Sequence, residues 1–174
     1  MSSVLNGNKN YCDLKKEFRK TKQVIYRMNI KEDKKFLDVN ISSNALYDEL
    51  KDKKLKKYIA IDTSSNENED KNINLENNTC LHLDFNKKID LNEKFDYICI
   101  YHNIDHFNDL DCVFDNAKQH LNKDGKFIIA HESPRKKINK SELKDEELLR
   151  ICSKKKFKRL NIIDEDYFYF EGMI

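Results

Sequence analysis

The chain has 174 residues, a length usual for one domain, and a compact domain of that size buries roughly 70% of the surface its unfolded chain exposes. Its 33 basic and 31 acidic residues leave a net charge of +2, which excludes a global electrostatic demand for nucleic acid or an anionic membrane. Cys12, Cys80, Cys99, Cys112 and Cys152 are odd in number, widely spaced and without a CxxC pair, so they signal neither a disulfide framework nor a zinc site.

The hydrophobic fraction of 39% is low beside a charged fraction of 37%, but the apolar residues gather in short runs, as a folded chain requires. Residues 1–10 are polar and read as a flexible lead; one domain is expected over 11–174. Between Tyr11 and Met28 the residues Leu14, Phe18, Val24, Ile25 and Met28 fall near helical spacing and predict an amphipathic helix. Phe36–Val39 predicts a strand, Ala45–Leu55 a helix, and Tyr58–Asp62 a second strand ending in an acid. The polar stretch from Thr63 to Asn78 reads as a frayed helix or a loop. Cys80–Phe85 and Phe95–Tyr101 predict the third and fourth strands, with Cys80 and Cys99 as small core residues.

Leu110–Leu121, with Val113, Ala117 and Leu121 on one face, predicts a helix. Asn122–Gly125 is a predicted turn with glycine supplying the positive φ. Phe127–Ala130 is a fifth strand, Ser141–Lys155 a helix without a clean capping box, and Leu160–Ile163 with Tyr167–Phe170 a terminal hairpin. Strands and helices alternating at this spacing imply βαβ units, an α/β doubly wound parallel sheet with helices on both faces. No signal peptide and no bilayer-length apolar stretch is legible, so a cytoplasmic, reducing compartment and no membrane contact are expected.

The order of parts resembles the class I S-adenosylmethionine (SAM) dependent methyltransferases from about Lys34 onward. The stretch Phe95-Asp96-Tyr97-Ile98-Cys99-Ile100-Tyr101 followed by Ile104-Asp105-His106 is similar to that family's fourth strand and loop. Leu121-Asn122-Lys123-Asp124-Gly125 is similar to its Leu-Lys-Pro-Gly-Gly turn, with Lys123 and Asp124 replacing the proline and first glycine. The resemblance implies a class I methyltransferase-like sheet closing in an antiparallel hairpin, with SAM at the carboxyl ends of the strands. It implies a ribose contact for Asp62 with Thr63 beside it, an adenine contact for Asp84 with Phe85 as an apolar neighbour of the ring, and cofactor contacts from Asp38 and Tyr101. The family's glycine-rich loop falls on Asn40-Ile41-Ser42-Ser43-Asn44, where Asn40 and Ser42 would border the cofactor without the close approach that glycine allows.

Several residues keep two readings. Asp62 is read as a ribose contact ahead of a helix cap, and Asp38 equally as either. His106 is read as a base near the methyl acceptor or as a residue packing its loop. His102 and His106 stand four apart, but at a strand exit and without a third ligand, so no metal is expected. Glu132, and the runs Arg135–Lys137 and Lys154–Arg159, read as solvated positions rather than as a nucleic-acid surface. The expected function is methyl transfer from SAM to an unidentified small-molecule or macromolecular acceptor. The alternative is a catalytically inactive module of the same fold that binds a protein partner.

Overall fold

The computed structural model describes residues 21–39, 45–63, 79–102, 104–132, 141–164 and 167–174. Among the described residues seven strands form one sheet: β1 (Lys35–Val39), β2 (Lys57–Asp62), β3 (Thr79–His82), β4 (Phe95–Tyr101), β5 (Leu121–Glu132), β6 (Lys158–Asp164) and β7 (Tyr167–Met173). Their order is β3-β2-β1-β4-β5-β7-β6. β1 to β5 are parallel, and β7 lies antiparallel between β5 and β6. The apolar runs of β1, β2 and β4 are buried on both faces, as parallel strands between two helix layers must be.

Helical residues 21–28 (α1) and α2 (Ala45–Leu50) cover one face, setting Val24, Met28, Leu46 and Leu50 against Phe36, Tyr58, Tyr97 and Ile128. On the other, α3 (Leu110–His120) and α4 (Ser141–Lys154) set Val113, Phe114, Leu148 and Ile151 against Leu37, Ile98, Phe127 and Phe170. The aromatic side chains sort themselves by layer. Among the described residues the buried phenylalanines, Phe36 excepted, lie in the α3/α4 layer, and the buried tyrosines Tyr47, Tyr58, Tyr97, Tyr101 and Tyr169 lie in the α1/α2 layer. Phe114 is the hub of the first layer, meeting Phe127 edge-on at 5.1 Å and Phe157 at 5.6 Å. α3 starts where the Asp109 carboxylate caps it, accepting the Cys112 amide at 2.9 Å.

The structure corrects four predicted boundaries. α2 ends at Leu50, because the amides of Lys51 and Lys53 close the last turn on Tyr47 and Leu50 and Leu55 then packs against the α1/α2 core. β3 stops at His82, since Asp84 nucleates a turn in place of further strand. Leu121 belongs to β5, not to the helix. The predicted turn at residues 122–125 is a bulge: β4 advances from Phe95 to Tyr97 while β5 runs from Leu121 to Lys126. Within it the left-handed residue is Asp124 (φ 63), not Gly125. Glycine is needed at 125 for space, because a Cβ there would stand 2.9 Å from the carbonyl oxygen of Asn122.

Expectations for residues 11–20, for Thr63–Asn78 beyond Thr63 itself, and for Arg135–Lys137 lie outside the described residues. Among the described residues no helix is long and apolar enough to cross a membrane.

Candidate functional site

Because β1 to β4 are parallel, their carboxyl ends share one edge, which in an open α/β sheet forms the ligand crevice. Asp38 is the next-to-last residue of β1 and Asp62 the last of β2. Side chains alternate along a strand, so Asp38 falls on the face of Phe36, and Asp62 on that of Tyr58 and Ala60, the α1/α2 face. The register sets Asp38 between Ala60 and Cys99. Both acids are buried, at 3% and 2% exposure.

Burial disfavours an ionised carboxylate, and Asp38 is pushed up to about 7 by it. The Tyr58 hydroxyl opposes that shift by donating to Asp38 Oδ2 at 2.5 Å. The Cys80 thiol of β3 is raised by its own desolvation and then by the charges of Asp62 and Asp38. The two carboxylates therefore act on one region spanning three strands.

Tyr101 ends β4 on the same face, and its hydroxyl shares a 2.7 Å hydrogen bond with Thr21 of α1. His102 then takes a left-handed backbone (φ 66) while its amide donates to the Ala130 carbonyl at 2.8 Å. Such a conformation costs a non-glycine residue on the order of 1 kcal/mol, and it steers the chain out of the sheet. A single 3-10 turn, Ile104–His106, follows and leaves His106 exposed. Thr63, next to Asp62, is half-buried.

Asp84 is partly exposed and engaged locally. Its carboxylate accepts from the Asn86 side chain at 3.1 Å and the Asn86 amide at 3.0 Å, with Lys87 at 3.3 Å, and these partners hold it below the usual carboxylate range. The ring of Phe85 departs from expectation. It is fully buried in the α3/α4 layer, edge-on to Phe107, on the face opposite Asp38 and Asp62. Asn116 of α3 pins that segment, donating to the Phe85 and Lys87 carbonyls at 3.0 and 2.8 Å and accepting the Ile89 amide at 3.2 Å. Asn40 and Ser42 lie outside the described residues. Of the basic run, Lys154 and Lys155 pair with Asp111 and Asp115 of α3 at 2.8 and 2.7 Å, which engages part of it within the fold.

Sequence reasoning missed Tyr58, Thr21 and Asn116. An acid inside the run FLDV demands a donor, and a tyrosine in a neighbouring run is a natural one, but only the β1–β2 register says which.

A parallel sheet of this order, closed by an antiparallel hairpin and carrying two buried acids at its carboxyl edge, defines a class I methyltransferase fold. A family model described as a methyltransferase domain matches residues 11–163, and the chain belongs to that family. No match to a curated protein is found. Among solved structures, it is similar to the Haloferax volcanii complex between the Trm112 methyltransferase activator and a methyltransferase, with 13% identity, 91% of this chain and 90% of that one covered, and a TM-score of 0.72. A SAM-dependent methyltransferase from Aquifex aeolicus matches with 15% identity, 91% and 97% coverage and a TM-score of 0.69. The glycopeptide N-methyltransferase MtfA, solved with SAM, matches with 13% identity, 90% and 93% coverage and a TM-score of 0.66. At such identities these likenesses carry the fold.

Proposed function

We propose that the protein binds SAM at the carboxyl edge of β1, β2, β3 and β4 and transfers its methyl group to an acceptor. The observation that carries this reading is Asp62, a carboxylate sequestered at the last residue of β2 beside Asp38. A carboxylate accepts from two adjacent hydroxyls at once, so it fits the ribose of the cofactor. Thr63 follows it directly, Tyr101 ends β4 on the same face on the far side of β1, Asp38 lies deeper in β1, and Asn40 and Ser42 come after β1 in the sequence. Asp84 keeps acceptor capacity toward an adenine amino group, while Phe85 contributes backbone alone. SAM, when bound, supplies an electrophilic methyl group. The chain's part is to hold the reactants in line and, for a protonated acceptor, to remove a proton, for which the exposed imidazole of His106 is suited. The reduced thiols Cys80, Cys99 and Cys112 fit a reducing, cytoplasmic setting.

A second reading, a partner-binding module without catalysis, draws on two observations. Asp38 is already engaged by Tyr58, and Phe85 has withdrawn from the edge. A structure of this fold containing the Trm112 activator gives such a partner a precedent.

Calorimetric titration with SAM and S-adenosylhomocysteine separates the two. Saturable binding is expected, and Asp62→Ala should weaken it by about 1–3 kcal/mol, the range for a lost hydrogen bond at a charged group. No heat from either compound would leave the partner-binding module.

A further inference from the structure

Two tyrosines of β4 tie α1 to the sheet, one toward each edge. Thr21 Oγ1 shares a 2.7 Å hydrogen bond with the Tyr101 hydroxyl. At the other end of the helix the Tyr97 hydroxyl accepts the Lys31 amide at 3.2 Å and donates to the Asn29 carbonyl at 3.5 Å. From Tyr97 to Tyr101 the strand advances about 13 Å, and from Thr21 to Asn29 a helical segment advances about 12 Å. α1 therefore lies along β4 and runs antiparallel to it, with Thr21 at the carboxyl edge.

The two ends are held differently. Val24, Ile25 and Met28 bury apolar side chains in the α1/α2 core, and Lys126 Nζ adds a bond to the Met28 carbonyl at 3.4 Å. Thr21 comes before the first of these anchors, so the buried side chain that the described part of α1 brings to the carboxyl edge is a polar one. The register sets its partner level with Asp62. Ile61 pairs with Val39 and Val39 with Ile100. Asp62 and Tyr101, each one residue further on, stand on either side of the end of β1, on the α1/α2 face and two strand spacings, about 10 Å, apart. A cofactor held by its ribose at Asp62 and reaching across the end of β1 meets the Thr21–Tyr101 pair on the far side.

We propose that Tyr101 is a positioning residue for the SAM site: through Thr21, its hydroxyl sets the start of α1 as the wall of that site opposite Asp62. The inference rests on the SAM-binding reading and adds α1 to it. A helix end frays where nothing holds it, and a ligand that must first order a wall binds more weakly than one that finds it in place. The bond therefore raises affinity by preorganisation. Because Tyr101 acts through Thr21, removing either hydroxyl has the same consequence.

The test is calorimetric titration of S-adenosylhomocysteine into the full natural chain, Tyr101→Phe, Thr21→Val, the double variant and Tyr97→Phe, each below its melting transition. Tyr101→Phe and Thr21→Val should each weaken binding about two- to tenfold, and the double variant no more than either one, since the two share a single bond. Tyr97→Phe loosens the far end of α1 and should lower the melting temperature with the affinity unchanged, which separates positioning from stability alone. Equal affinity in the natural chain and both edge variants, or an equal loss in Tyr97→Phe, would overturn the proposal. A loss in Tyr101→Phe that Thr21→Val does not share would make the hydroxyl a cofactor contact and overturn it too. If the natural chain gives no heat, SAM binding and this role of Tyr101 fall together, whereas saturable binding that the variants leave unchanged removes the role of Tyr101 alone.

Discussion

Asp38 is a carboxyl group held out of water inside a strand, and that placement writes a pH dependence into the fold. Its ordinary value is 3.8 and burial raises it to about 7. Between those limits the folded protein keeps a proton that the unfolded chain releases, so the contribution of this group falls as pH rises and levels off above about 7. The slope is at most about 1.4 kcal/mol per pH unit. Asp38→Asn keeps an oxygen to accept the Tyr58 hydroxyl and removes the titration. Thermal denaturation of both proteins should therefore show the variant gaining on the natural chain between about pH 4 and about pH 7, with no further change above. Parallel curves would mean that Asp38 titrates as an ordinary surface acid. At this scale Asp62 was legible, because an acid that ends an apolar run sits at a strand's carboxyl end. Tyr58 was not, since its bond to Asp38 exists only through the pairing of β1 with β2. Phe85 misled for a similar reason: once β3 ends at His82, alternation along the strand no longer says which layer its ring enters.

Among the elements, β5 joins the parallel half of the sheet to the hairpin, and its bulge sets how. Asn122 in the bulge donates to Asp96 of β4 at 3.2 Å, and the other oxygen of Asp96 accepts the first amide of β1 at 2.9 Å. Gly125→Ala forces a Cβ against the Asn122 carbonyl and should destabilise the protein by about 1–3 kcal/mol in urea denaturation. Asp124→Gly, at the left-handed position, should be neutral or stabilising by up to about 1 kcal/mol. If the two effects were reversed, the assignment of space and conformation within the bulge would be wrong.

β5 and β7 also share a largely buried ion pair, Lys126 with Glu171 at 3.0 Å, and Glu171 accepts the Tyr169 hydroxyl at the same distance. Lys126→Ala strands that carboxylate and should cost about 2 kcal/mol by the same measurement, less than a fully buried pair because Lys126 stays a quarter exposed. A loss indistinguishable from zero would show that water reaches Glu171. Strands were the most legible elements, the short apolar runs of β1, β2 and β4 being buried on both faces. The ends of α2 and β3 were not, because packing of Leu55 and the turn held by Asp84 and Asn86 decide them.

At the scale of the molecule, alternation along the chain announced a parallel sheet, but not the order in which β1 takes both β2 and β4 as neighbours. That arrangement makes one sheet the shared wall of two cores, so the cores should melt together. Phe114→Ala, in the α3/α4 layer, should destabilise the whole domain by about 3–5 kcal/mol. The separation of aromatic types makes this measurable. The chain has no tryptophan, and among the described residues the buried tyrosines all belong to the α1/α2 layer, so their intrinsic fluorescence reports on one side of the sheet. A tyrosine-detected midpoint that follows the far-ultraviolet signal in the Phe114 variant would establish a single transition, and a lagging one would mean separate melting. The same separation places Tyr58 and Tyr101, the first bonded to Asp38 and the second ending β4, among the emitting groups near the carboxyl edge of the sheet, the proposed SAM site. The protein thus carries an unlabelled optical probe for occupancy of that edge, while rearrangements confined to the phenylalanine layer pass without a signal.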